Sequence, residues 1–546
     1  MSNGTRALVI EPASEVRSML ARGLLEAGVG EVEFAGRTGD AFGKIKQTSY
    51  DIVLCEYDLG QDFDGLHFFE ACQTHQLLKP SCVFMIVSGE RRLAQVMSAA
   101  ELTPDAYLLK PFSSSDLVDR LARAMARKRQ LRAIDDASRA GDYLAAIAAC
   151  NTELATAAAS DRPDLLRHKG RLLGLLGEHA LARDFYREQL ADGDWPWAQL
   201  GLARSLFALK QFDEARLLFE RIKLEHELVM DAYDGLARTL AAQGEPAAAQ
   251  LVLDDAVARS PLVAKRQRAR GRLAQRNGAL DVAQAALVQA VQLNRGSFWR
   301  DPALYAELAR VQLAQGDIGA ARRTAAQLMH DFRGDGVAQS IAELIEGATF
   351  ISSGDKDKAR KLIGGAATRL AARDDAPAGA LLEAAQACIA LGDGGDAEKL
   401  VRRALSSRHD DVEIVASVEA LYADLGQPEA GARLVQEATR DILELNNEAV
   451  RAAQEGDYRG AAERFIAALD QLPGNVGVLL NAANSLLTCV NRMGWDASYM
   501  QIAQTCVQRA LRIEPGNGRA RQMQDVWLRT QRRFGIDAAH KDAGEH

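Results

Sequence analysis

A glycine recurs along most of this chain, each time with a small residue five positions after it. "AGDYLAA" has Gly141 and Ala146, "LGEHALA" has Gly177 and Ala182, and "QGEPAAA" has Gly244 and Ala249. "NGALDVA", "QGDIGAA", "SGDKDKA" and "LGDGGDA" repeat the pair as Gly278 and Ala283, Gly316 and Ala321, Gly354 and Ala359, and Gly392 and Ala397. "LGQPEAG" has Gly426 and Gly431, "EGDYRGA" has Gly456 and Ala461, and "LKQFDEA" keeps Ala215 but puts Lys210 where the glycine stands. The steps between turns are 36, 33, 34, 34, 38, 38, 38, 34 and 30 residues. A helix–turn–helix unit of this length buries its apolar face only against copies of itself. The small residue lets the paired helices approach closely. The chain is therefore expected to build an array of helix pairs.

"GDYRGAAERFIAALDQLPGN", residues 456 to 475, resembles the tetratricopeptide repeat consensus, and "ALRIEPGN", residues 510 to 517, closes one further unit after an insertion around "NRMGWDAS". The expected organisation is an all-α array of about ten to eleven units over 141–517, a capping helix over 518–534 and a disordered tail over 535–546. The resemblance implies a superhelix whose concave groove takes a protein or peptide.

Composition narrows the rest. The chain has 546 residues, more than one core serves, and only 13 prolines against 48% hydrophobic residues, so a folded chain is expected. A net charge of −8 argues against bulk nucleic-acid binding. Cys55, Cys72, Cys82, Cys150, Cys388, Cys489 and Cys506 form no Cys-x-x-Cys pair and read as buried thiols of a reducing cytoplasm. No apolar run approaches the roughly 18 residues of a membrane span, and the start reads as a strand rather than a secretory segment. The isolated histidines show no metal spacing. Neither a Walker loop nor a Gly-x-Ser-x-Gly elbow occurs. The expectation is a cytoplasmic protein that is not an enzyme and needs no cofactor.

The first 125 residues follow a different rhythm. Strands are read at Ala7–Ile10, Asp51–Leu54, Val83–Val87 and Ala106–Leu109, and helices at 14–27 and 115–129, the second opened by the N-cap signal "SSSD". Short strands alternating with helices predict an α/β doubly wound parallel sheet, with its active groups at the carboxyl ends of the strands. Those ends carry Glu11, Glu56, Ser88 and Lys110. "LVIEP", "IVLCEYDLG", "MIVSGE" and "DAYLLKPF" together resemble a bacterial response-regulator receiver, a flavodoxin-like domain, over about residues 5 to 125.

The resemblance implies roles. Glu56 takes the phospho-acceptor position, Glu11 and Pro12 the acidic pair that holds Mg2+, and Ser88, Tyr107 and Lys110 the hydroxyl, the switch aromatic and the lysine. Lys110-Pro111 matches a step that is often cis. Two departures stand out. Glu replaces the acceptor Asp, and Pro12 offers no ligand, so only a weak Mg2+ site at Glu11 and Glu56 is left. The longer side chain also moves the nucleophile out of register for in-line transfer. A pseudo-receiver is expected, with Glu56 either a charge mimic paired to Lys110 or a structural remnant. Asp58 is an alternative, displaced acceptor.

Six residues before the turn position, five consecutive units carry Arg171, Arg204, Arg238, Arg272 and Arg310, each directly after a small residue. The tetratricopeptide resemblance places them on the groove wall, where they would favour an acidic partner. The competing reading is that each pairs with a neighbouring acid, such as Asp234 or Glu307, and ties units together. Asn447, Asn481 and Asn484 would either hydrogen-bond a bound peptide backbone or face solvent. Trp195 and Trp197 read as core or inter-unit packing. "RLARAMARKRQLR", residues 120 to 132, has six basic residues and no acid, and reads as one helix across a junction at 126–140. A homodimer through the receiver or this helix stays open. Three functions compete: a signalling adaptor that binds a protein partner, a phosphorylation-dependent two-component response regulator, and a DNA-binding transcriptional regulator.

Overall fold

The computed structural model describes residues 4–59, 65, 68, 69, 72, 77–79, 81–89, 104–139, 143–158, 161–227, 229–261, 263–295, 301–408, 412–513 and 517–535. Five parallel strands form one sheet in the order β2-β1-β3-β4-β5. They are β1 (Arg6–Ile10), β2 (Glu31–Ala35), β3 (Ile52–Glu56), β4 (Val83–Ser88) and β5 (Ala106–Leu109). β3 and β4 are buried throughout, as strands covered on both faces must be. The sequence reading counts four strands, and the edge strand β2 is the fifth. Its word "EVEFA" carries two glutamates and leaves Phe34 exposed, so it lacks the apolar run that marks the central strands.

Among the described residues, the helices with defined bounds beside the sheet are α1 (Ser14–Glu26), α2 (Thr38–Gln47) and α3 (Ser114–Arg139), and Gly65, Phe68, Phe69 and Cys72 are also helical. Leu20 and Leu24 of α1 and Leu117, Leu121 and Ala124 of α3 share a core with Val9, Leu54 and Val87. A second core gathers Phe42, Phe68, Phe69 and Phe84 with Val53 and Ile86. α3 then runs on without a break. Its later residues Leu131 and Ile134 pack with Ala146, Cys150, Leu165 and Leu172. One apolar seam at i, i+4, i+7, i+14 and i+17 thus serves both clusters.

Helices continue as α4 (Tyr143–Thr156), α5 (Arg162–Leu175), α6 (His179–Ala191), α7 (Pro196–Ala208), α8 (Phe212–Glu225), α9 (Met230–Ala242), α10 (Pro246–Arg259), α11 (Ala264–Arg276) and α12 (Leu280–Arg295). Then come α13 (Ala303–Ala314), α14 (Ile318–Asp331), α15 (Gly336–Ser352), α16 (Lys356–Ala372), α17 (Ala378–Leu391) and α18 (Gly394–Ser407). The last are α19 (Val412–Asp424), α20 (Pro428–Gln454), α21 (Tyr458–Gln471), α22 (Val476–Met493), α23 (Ala497–Ile513) and α24 (Gly518–Arg533). The chain divides into two compact units, residues 1–301 and 302–546. Gly141 and the tail from 536 lie outside the described residues.

The turn positions behave as the repeat requires. Gly177, Gly244, Gly278, Gly316, Gly354, Gly392, Gly426 and Gly456 all have positive φ, the left-handed conformation that ends a helix. Lys210, the exception in the sequence, adopts the same conformation at φ 59°. Asp317, Asp355 and Asp457, each next after a turn glycine, accept a backbone N–H and start the following helix. The alanines five positions on, Ala182, Ala215, Ala249, Ala283, Ala321 and Ala359, are fully buried.

One unit departs from the pattern. α20 is 27 residues long and joins the second helix of one unit to the first helix of the next. The 30-residue step from Gly426 to Gly456 leaves no room for an inter-unit turn, and no Gly or Pro interrupts 432–455. In the same half of the chain, the turn after α21 folds back on earlier helices. Asn475 Nδ2 donates to the Ser406 carbonyl at 2.8 Å, and Arg509 meets Asp374 at 3.2 Å.

Candidate functional site: a saturated carboxylate pocket and an arginine-bearing helix row

The strand ends of the sheet build the first site. The register sets Ile10 beside Cys55 and Cys55 beside Ile86, so Glu11 and Glu56 leave adjacent strands at the same level. This is the point where strand order reverses, and ligands of doubly wound sheets gather there. Lys110 follows β5 and donates its backbone N–H to the Ser88 carbonyl at 2.8 Å. The Lys110-Pro111 bond is cis.

The Lys110 ammonium lies between the two acids. It donates to Glu11 Oε2 at 2.8 Å and to Glu56 Oε2. The other carboxylate oxygens are also engaged. Glu11 Oε1 accepts the Ala13 N–H at 2.9 Å. Glu56 Oε1 accepts the N–H groups of Tyr57 and Asp58 at 2.8 and 3.2 Å. Both carboxylates are buried, at 3% and 7% exposure, as is Ser88 at 1%. Burial lifts the Glu56 carboxyl above its ordinary range, although Lys110 pulls the other way. Burial also opposes the ammonium, but its bonds to Glu11 and Glu56 outweigh this and raise Lys110 above its ordinary value.

These residues do not fit Mg2+. A hard dication needs several oxygens free to turn toward it, yet all four oxygens here accept hydrogen bonds and Pro12 adds none. The ammonium holds the place between the carboxylates that a cation would take. Among the described residues, no three His, Cys, Asp or Glu gather as metal ligands. Tyr107 is half-buried on β5, and its carbonyl accepts from Arg120 of α3 at 3.0 Å. Asp58 is exposed in the loop after β3. The sequence reading paired Lys110 with Glu56 but missed its bond to Glu11. The parity of the two strand ends was the available signal.

The second set of residues lies on alternate helices. Arg171 on α5 is exposed, and Asp135 of α3 stands in its field. Asp135 is six residues before Gly141, so the row of arginines is preceded by an acid that the sequence reading missed. Burial raises the Asp135 carboxyl against the opposing pull of Lys128 and Arg171. Arg204 on α7 pairs with Asp231 of α9 at 2.6 Å, both exposed. Arg238 on α9 lies 5.7 Å from the Phe207 ring centre and donates to the Asp234 carbonyl at 3.4 Å. The Asp234 carboxylate instead takes both arms of Arg266, at 3.0 and 2.9 Å. Arg272 on α11 is half-buried.

In residues 302–546, Arg310 of α13 makes a two-armed bond to Glu383 of α17 at 2.9 and 3.1 Å. It is therefore an internal tie, not an open groove residue. The expected neighbour Glu307 is buried at 2% exposure. Asn481 on α22 accepts from Arg519 of α24, Asn484 is exposed, and the Asn447 side chain lies outside the described residues. Trp195 is 43% exposed just before α7, which sets aside the core alternative of its core-or-inter-unit reading, while Trp197 packs edge-on against Tyr186. All seven cysteines are buried thiols. No described helix is long and apolar enough to cross a membrane.

Comparison with known proteins bears on the N-terminal part first. The family model described as a response regulator receiver domain matches residues 7–122. The chemotaxis protein CheY-3 of Vibrio cholerae is 21% identical over 127 residues, covering 23% of this chain and 96% of that protein. A CheY-like receiver domain from Methanospirillum hungatei is 23% identical, covering 23% of this chain and 98% of its own, with a TM-score of 0.21. A tetratricopeptide repeat protein from Parabacteroides merdae covers 44% of this chain and 93% of its own at 13% identity, with a TM-score of 0.32. Residues 7–122 thus carry a response regulator receiver domain, and a long all-helical region of tetratricopeptide-like pairs follows it.

Proposed function

We propose that the protein is a cytoplasmic signalling adaptor. Its receiver module works without aspartyl phosphate, and its helical region binds a protein partner on the row that bears Arg171, Arg204 and Arg238. The observation that carries this reading is the Lys110 ammonium held between Glu11 and Glu56. The pocket supplies from its own side chains the opposed charges that a phosphoryl group and a metal bring to a phosphorylated receiver. Lys110 and the backbone N–H groups hold both Glu56 oxygens, which opposes the reorientation that in-line attack would need. Glu56 is read as the charge mimic, because its ion pair is fixed by backbone bonds on one side and by Lys110 on the other.

The test is incubation of the full chain with Mg2+ and acetyl phosphate, followed by intact mass measurement. The expected result is no phosphate adduct while a control receiver is labelled. A stoichiometric adduct sinks the reading in favour of a phosphorylation-dependent regulator, and mapping would then ask whether Asp58 is the acceptor. For the helical region, Arg204→Glu with Arg238→Glu should abolish capture of a partner identified by mass spectrometry, with helicity retained. Capture that survives would make these arginines structural ties.

A further inference from the structure

α7 differs from its neighbours in the side chains it leaves half-exposed. Ala198, Gln199, Gly201, Leu202, Ala203, Ser205 and Leu206 are buried. The partly covered stripe is Trp197, Leu200, Arg204 and Phe207, at spacings of three, four and three, with Arg204 exposed and the three apolar side chains half-buried over the core. Such spacing keeps all four within about a quarter of the helix circumference. The corresponding stripe of α9 is Asp231, Asp234, Arg238 and Ala241, and that of α11 is Lys265, Arg268, Arg272 and Gln275. α7 packs beside α5 and α9. An apolar patch with an aromatic at either end therefore lies in a polar row, edged by Arg171, Arg204 and Arg238.

Trp197, Leu200 and Phe207 pack against the core through their inner edges, Trp197 edge-on to Tyr186 and Phe207 tilted on Phe212, and each keeps a solvent-facing part. Gly201 sits so tightly against Tyr186 that no side chain fits there, so the inner face is already filled. Arg204 and Asp231 are 49% and 58% exposed, and an ion pair this open is weak enough to be exchanged for another carboxylate. Arg238 is stacked on Phe207, which places a cation directly beside the apolar patch.

We infer that the Trp197–Phe207 stripe is the anchor subsite of the partner-binding row, and that it takes a peptide segment carrying one aromatic or long aliphatic side chain flanked by carboxylates. The apolar side chain rests on Trp197, Leu200 and Phe207, and the carboxylates meet Arg204 and Arg238. Asp164, Asp231 and Asp234 stand on the flanking helices. They would repel a continuous polyanion such as nucleic acid but leave room for discrete acidic side chains. The inference rests on the partner-binding reading above and adds the chemistry of the partner.

The experiment is selection of a displayed library of random twelve-residue peptides on the full chain, followed by anisotropy titration of the enriched peptides. Enriched sequences should place an aromatic or Leu/Ile/Met residue beside Asp or Glu. Leu200→Lys, and the milder Leu200→Ala, should each weaken them at least about tenfold, with melting temperature checked for every variant. If Arg204→Glu with Arg238→Glu weakens binding but neither Leu200 variant does, the anchor subsite is overturned and the arginine row survives. Binding indifferent to all these variants overturns both. Enriched peptides that are basic, or lack an apolar residue, or a library without enrichment, also overturn the anchor.

Discussion

The two helical regions share one repeat but spend their charges differently. In residues 143–301 the ion pairs join each unit to the next: Arg187 with Glu214, Arg204 with Asp231, Arg216 with Glu245, and Asp234 with Arg266. Most of these partners are half exposed. In residues 302–546 several polar contacts leap further. Arg310 reaches Glu383 past α15, Asn475 reaches Ser406, and Arg509 reaches Asp374. The first region is tied like a chain of neighbours, as stacked repeats are expected to be. The second is cross-braced, and its units should lose structure together. Small residues make this reach possible: at the repeat position held by Arg310 in α13, α15 has Ala348.

The sharpest way to break the contrast is Arg310→Ala. It leaves Glu383, only 9% exposed on its side chain, without its guanidinium, and should cost the second region about 3 kcal/mol. Urea unfolding followed by a probe in that region should show the midpoint fall.

The first region has its own weak point at His168, held down to about 4 by burial and by Arg171, Arg127, Arg167 and Lys128. The folded chain keeps this imidazole neutral, while the unfolded chain protonates near the ordinary 6.5. The unfolded state therefore binds more protons in between, so the contribution is complete above pH 6.5 and is lost as pH falls through about 4. The loss should reach about 2–3 kcal/mol by pH 4. Melting curves across this range should flatten in His168→Gln.

Gly474→Ala tests the brace itself. A Cβ there would lie 2.9 Å from Ser407 Oγ and 3.0 Å from the Asp374 carbonyl. It should destabilise the second region by about 1–2 kcal/mol and speed amide exchange at Asn475. Lys210→Gly should act in the opposite sense, relieving a left-handed lysine and stabilising the first region by about 1 kcal/mol. Arg204→Ala should change stability by less than about 1 kcal/mol. A loss there as large as that of Arg310→Ala would erase the distinction between neighbour ties and braces.

Local rules made the periodic features readable. A turn that needs positive φ selects glycine, and a close helix crossing selects alanine, so each unit announces itself within its own residues. The strand ends were readable for the same reason, since Glu11, Glu56, Ser88 and Lys110 each follow an apolar run. Partners were not. Which acid answers Arg310 depends on a helix that begins 68 residues later, and periodicity carries no signal for that. The sequence also held the short step that fuses α20, but its meaning depends on the absence of a turn. The half-exposure of the α7 stripe was hidden because Trp, Leu and Phe at helical spacing look alike whether they are fully or partly buried.

α3 gives the receiver and the first helix pair a common phase. Its seam commits Leu117, Leu121 and Ala124 to one core and Leu131 and Ile134 to the next along about 39 Å of helix. A single residue inserted between Ala124 and Leu131 would turn Leu131, Ile134 and the helix pair packed on them by about 100° relative to the sheet, and three or four would nearly restore it. Lineages that lengthen or shorten this helix should therefore do so in whole turns, and the length of the junction becomes a heritable setting of where the first helix pair faces.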